Sequence, residues 1–162
     1  MKILFYLLTF TLSFAQAQTK KNAYPKVLYE FIEKNKFDRN KIYDVSFTDN
    51  PELIDEIVKY NLNGVYGVLQ NDKFFNVNVL ENAGCSGQQL VFVKNFNLDN
   101  LEGVDKNQVK VLSEINVDSD KKVVVFLCAN ISSKSMLKHL IKPVFNEIKK
   151  DANYDYIMLV ID

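Results

Sequence analysis

KKVVVFLCA (residues 121–129), SMLKHLIKPVFNEI (135–148) and YDYIMLVI (154–161) decide the fold. Val123 to Leu127 is a continuous apolar, β-branched run, the composition of a strand buried on both faces. Ser132 to Ser135 supplies candidate helix caps. Met136, Leu137, Leu140, Ile141, Val144, Phe145 and Ile148 then fall on one face of a long helix. Tyr154 to Ile161 reads as a second central strand. Strand, helix and strand at this spacing form a βαβ unit, which requires a parallel pair and a right-handed crossover. A strongly apolar strand beside Asp162 is expected to be paired inside a sheet or across a subunit interface, because an unpaired edge invites aggregation.

Upstream, the signals become mixed. Tyr24 to Asn35 reads as a first helix, with Val27, Leu28, Phe31 and Ile32 at helical spacing and Pro25 near its start. Ile42 to Thr48 reads as a strand. Asp49-Asn50-Pro51 opens a second helix, whose apolar stripe is Leu53, Ile54, Ile57 and Val58. Gly64 to Leu69, Lys73 to Leu80 and Gln88 to Phe96 are rich in Val, Phe and Tyr and read as strands, with Asn71-Asp72 turning a hairpin. Glu81 to Gly87 reads as a turn, and a short helix or strand is placed around Val109 to Ile115. The class is therefore α/β, a single domain with a mixed β-sheet flanked by helices and a C-terminal βαβ unit.

Residues 1–17 carry an address. Lys2 gives a positive start, Ile3 to Phe14 is almost wholly apolar, and Ala15-Gln16-Ala17 has the small-x-small form of a cleavage site. About twelve apolar residues are too few to span a hydrocarbon core of ~30 Å, so the stretch reads as a removable signal peptide and not an anchor. The expected product, residues 18–162, is secreted or periplasmic and has no membrane span after signal removal. No Cys follows the cut, so a lipid anchor is not suggested. The mature chain keeps 19 basic residues against 20 acidic ones. It has one arginine, Arg39, and therefore no guanidinium cluster. This balance argues against a dedicated nucleic-acid or anionic-membrane binder; the sequence names no partner, and the exported address makes an envelope or extracellular protein the class to expect.

Two cysteines remain, Cys85 and Cys128. In an oxidising compartment they are a disulfide candidate, worth ~4 kcal/mol in the chain-entropy account. The alternative is that Cys128, within Val123 to Ala129, is a small buried hydrophobe. One histidine, two separated cysteines and scattered carboxylates make no metal-ligand set, and five glycines form no phosphate cradle. No cofactor is expected.

Phe96-Asn97-Leu98, Leu101-Glu102-Gly103, Val111-Leu112-Ser113 and Lys121 to Leu127 resemble the lead-in to the thioredoxin-like fold of redoxins and TlpA-like thiol–disulfide reductases. Leu140 to Ile148, with Pro143, resembles the proline-bearing helix of thioredoxins, and Tyr156 to Asp162 the strand after it. The resemblance covers about residues 96–162. It implies a C-x-x-C pair at the start of the helix, where the helix dipole activates a thiol. Aligned on Pro143, those positions hold Ser135 and Lys138, neither of which can cycle between thiol and disulfide. The family's later cis-proline segment and hairpin have no counterpart after Asp162, so a fold of this kind would be redox-inactive and incomplete, or would take the missing strands from Gly64 to Phe96.

Gly84-Cys85-Ser86-Gly87 is similar to the nucleophile segment of NlpC-type cysteine peptidases, which implies a catalytic thiolate at Cys85. The base would have to be His139, the chain's one histidine. His139 shares the helix face of Lys138, Lys142 and Asn146, opposite the apolar stripe. The family's Asp before the Cys and its H-V-G-I motif are absent, and strand-like Leu90 to Val93 follows where a nucleophile elbow needs a helix. The reading is an exported, non-catalytic binding or interaction module with a degenerate thioredoxin-like fold. The alternative is an exported thiol-dependent enzyme, either an oxidoreductase using Cys85 and Cys128 or a Cys85 hydrolase.

Overall fold

The computed structural model describes residues 24–60, 66–76, 98, 102–118, 120–129 and 132–162. Within them β1 (Ile42–Val45), β2 (Tyr66–Gln70), β3 (Lys73–Asn76), β4 (Val104–Asp105), β5 (Lys122–Ala129) and β6 (Tyr154–Ile161) form one mixed sheet. The strand order is β1-β6-β5-β2-β3-β4. β5 and β6 run parallel over their whole length, from Lys122 opposite Tyr154 to Ala129 opposite Ile161. β1 adds to the far side of β6, also parallel, with Ile42 opposite Met158. The hairpin β2–β3 lies antiparallel on the other side of β5, with Val68 opposite both Val124 and Phe75. The predicted α/β class, mixed sheet and C-terminal βαβ unit are all present, and β6 is flanked on both sides.

The hairpin turn is Asn71-Asp72, as predicted. Both residues have positive φ, 51° and 57°, the backbone that a two-residue loop needs to match strand twist, and Asn and Asp tolerate it best after glycine. Gly67 in β2 meets a second constraint. A Cβ placed there would lie 2.2 Å from the Phe74 ring, so the ring of the next strand occupies the space that a side chain would need.

Period-two alternation sends the strand side chains into two separate cores. On one face Val124, Phe126, Cys128, Met158 and Val160 pack with Leu28 and Ile32 of α1 (Lys26–Asn35) and with the C-terminal helix. On the other, Val123, Val125, Ile157 and Leu159 pack with Leu53 of α2 (Leu53–Lys59) and with Val111 and Leu112 of α3 (Lys110–Ser113). Lys110 joins the two helices on this face. Its backbone N–H donates to Glu56 Oε1 at 3.2 Å, and its Nζ lies 2.5 Å from Glu52 Oε1. The Lys110 ammonium holds the Glu52 carboxyl below its ordinary range.

The α2 stripe differs from expectation. Leu53 is buried and Ile57 packs on the core, whereas Ile54 and Val58 are 55% and 76% exposed. Successive helical residues turn by ~100°, so the pair Leu53/Ile57 and the pair Ile54/Val58 cannot both face so narrow a contact.

α1 ends in a Schellman motif that the apolar pattern did not reveal. Lys36 takes the left-handed conformation (φ 58°), with Lys36 N–H donating to Glu33 O and Phe37 N–H to Ile32 O, each at 3.2 Å. This geometry folds the residue after the cap back over the helix. Phe37 is thereby driven into the core, where it stacks on Phe145 with ring centroids 3.7 Å apart. Tyr156 meets both rings edge-on, and its hydroxyl accepts the Asp38 N–H at 2.7 Å.

The C-terminal helix runs as α4 (Lys134–Met136), a π-helical turn (Leu137–Ile141) and α5 (Lys142–Ile148). Pro143 is the physical reason for the π turn. It offers no N–H to the preceding turn and its ring crowds the carbonyl there, so the backbone widens just upstream. Lys142 N–H accordingly donates to Leu137 O, five residues back.

Candidate functional site

β5 ends at Ala129, and its crossover begins with Ser132 and Ser133. Ser133 is the N-cap, its Oγ accepting the Met136 N–H at 3.1 Å. Of the predicted cap residues Ser132 to Ser135, Ser133 is the one that caps the helix. Ser132 Oγ is buried and has no hydrogen-bond partner among the described residues. Ser135 and Lys138, the positions that the resemblance aligns with reactive cysteines, are exposed on the helix.

Cys128 is a free thiol with no exposed surface, set in β5 among the residues of the α1 face. Burial alone pushes it up from its ordinary value near 9 to about 12, so at neutral pH it is a protonated hydrophobe. Its expected partner, Cys85, lies outside the described residues, as do the expected leader at 1–17, the expected turn at Glu81 to Gly87 and the expected strand at Gln88 to Phe96. His139 is exposed on the C-terminal helix, as its helix position predicted. Buried Cys128 and exposed His139 do not make a nucleophile and base pair. Among the described residues, no three His, Cys, Asp or Glu side chains converge as metal ligands would. No helix of the described residues is long and apolar enough to cross a membrane.

The structure assembles a different feature next to the helix start. A groove of about 280 Å³ runs between α1 and the C-terminal helix. Val27, Phe31 and Leu137 give it an apolar floor, and Lys34, Lys134, Lys138 and Lys142 stand around it. Among the described residues Glu30 is the one acidic side chain lining it, and that carboxylate leans toward Lys26 at 3.9 Å. None of the four lysines forms an ion pair with a described residue. The groove therefore concentrates an excess of three positive charges in a chain with 20 basic and 20 acidic residues.

The lysine cluster was not anticipated. The spacing of Lys134, Lys138 and Lys142 at i, i+4 and i+8 was visible, and it is the signal that marks them as neighbours on one helix face. What the spacing lacked was α1, which contributes Lys34 and most of the floor from a hundred residues upstream.

A second pocket, of about 360 Å³, lies at the opposite ends of β5 and β6, between the β2–β3 turn and Asn153. Lys121 and Lys122 face Asp120 and Asp151 there, so its charges balance. In open α/β sheets ligands bind beyond the carboxyl ends of the strands, which is the end of β5 from which the crossover to the lysine-rimmed groove starts. In comparisons with known proteins, no family model, no curated protein and no solved structure matches the chain.

Proposed function

We propose that the protein is an exported, non-catalytic binding module whose C-terminal half is a degenerate thioredoxin-like fold. The observation that carries this reading is the state of the crossover after β5. The family places two cysteines there, and this chain presents capping Ser133, exposed Ser135 and Lys138. The nearest described thiol is sealed inside the sheet with its proton held to about pH 12. The strand order also supports the reading: a parallel pair joined by a proline-bearing helix is bordered by an antiparallel hairpin. That hairpin comes from residues 66–76, upstream of the pair. The groove between α1 and the C-terminal helix is the binding surface in this proposal.

Mass spectrometry of the protein recovered from the producing cells tests the export component. The expected species starts at Gln18 and is found outside the cytoplasm, and an intact Met1 form confined to the cytoplasm contradicts export. Iodoacetamide labelling at pH 7 tests the non-catalytic component. The expectation is no rapidly alkylated thiol, whereas a fast-reacting Cys85 would favour the thiol-enzyme alternative.

A further inference from the structure

We infer that the groove receives an acidic peptide segment of a partner protein, one that places an aliphatic side chain between carboxylates. This rests on the binding-module reading and specifies its ligand. Three observations point to that chemistry. The first is charge without compensation. Lys134, Lys138 and Lys142 sit one turn apart on a single helix and Lys34 faces them across the groove. Like charges at this spacing oppose helix formation, and no described acidic residue forms an ion pair with them. A bound carboxylate would.

The second observation is the floor. Val27 is 41% exposed and lies beside Phe31 and Leu137. A purely ionic polyanion or a free phosphate gains nothing from that surface, whereas an aliphatic side chain set on it leaves water. The third is the cation type and the size. Arg39 is already paired with Glu33 and stacked over Tyr29, so no guanidinium fork is present to grip phosphate at two points. Lysines act as mobile point charges, which suits carboxylates arriving on flexible side chains. Lys134 to Lys142 covers about 12 Å of helix axis, the length of about four extended residues. The groove thus matches a short acidic-aliphatic-acidic segment and not a large enclosed ligand.

Fluorescence anisotropy on the purified protein tests the inference with three labelled hexapeptides. One is Glu-Glu-Leu-Leu-Glu-Glu, the second has Ser for both Leu, and the third has Lys for every Glu. The first peptide is expected to bind, weakening several-fold between 50 and 300 mM salt as exposed charges are screened. The Ser peptide should bind about 5- to 10-fold more weakly, and the Lys peptide not at all. The K134E/K138E double variant, at two exposed positions, should lose about 10-fold or more with its thermal midpoint within a few degrees of wild type. An unfolded double variant is replaced by K34E, whose charge sits on α1.

Equal binding of the Ser peptide, unchanged binding by the reversed variants, or absence of binding to the first peptide each overturns the inference. So does preferential binding to anionic phospholipid vesicles. Iodoacetamide labelling of the same sample separates the two failures. Absent peptide binding with inert thiols removes only the ligand class, whereas a fast-reacting thiol removes the binding-module reading beneath it.

Discussion

Cys128 and Gly67 show how a single position acquires its meaning from what surrounds it. A cysteine in a chain expected to leave the cytoplasm invites a disulfide, but Cys128 faces the layer formed by α1 and the C-terminal helix and is fully covered. Unfolding the protein without reductant is expected to release a thiol that titrates, and a thiol that appears only after reductant would show a bond. The same burial sets a pH dependence. The folded thiol keeps its proton up to about pH 12, while an unfolded thiol loses it near 9. The unfolded state then binds fewer protons, so stability falls as pH rises through that window, by at most about 1.4 kcal/mol per pH unit. Cys128→Ala should flatten this alkaline slope in urea titrations, and an unchanged slope would refute the assignment. At Gly67 the Phe74 ring leaves no room for a methyl group. Gly67→Ala should cost about 1–3 kcal/mol through overpacking. Lys36, held at φ 58°, is the converse case: Lys36→Gly should gain about 1 kcal/mol by removing left-handed strain. Neither effect was legible in the sequence, because both depend on a backbone conformation or a cross-strand neighbour.

Elements were more legible than residues, and unevenly so. β5, the C-terminal helix and β6 each announce themselves by length and periodicity, and Asn71-Asp72 announces its turn by chemistry. The π-helical turn did not, since Pro143 was compatible with a kink, a break or a widened turn. α2 was over-read: four apolar residues at helical spacing suggested one buried stripe, and only Leu53 and Ile57 reach the core. The end of α1 at Asn35 was legible, but the Schellman motif that makes it was not, because that motif is a backbone event. Its consequence can be measured. Phe37→Ala removes the stack on Phe145 and the edge-on contacts with Phe126 and Tyr156, and should lower stability by about 3–5 kcal/mol in urea unfolding. A loss below 1 kcal/mol would mean that the aromatic cluster does not anchor α1 to the sheet.

For the whole molecule, the class followed from the last forty residues, while the position of the hairpin and the lysine groove did not. Both depend on long-range pairing: β2 with β5, and α1 with the C-terminal helix. Nearest-neighbour patterns carry no record of such partners. The three features that frame the proposed function share one layer of the fold. The crossover without cysteines, the sealed Cys128 and the unneutralised groove all lie on or beside the α1 face of the sheet. Insulin reduction with dithiothreitol as electron donor decides whether the protein turns over thiols. The expected result is a precipitation rate equal to that of dithiothreitol alone. A rate enhancement that disappears in Cys85→Ser would contradict it, because a working thiol pair would then reside in a chain assigned to binding.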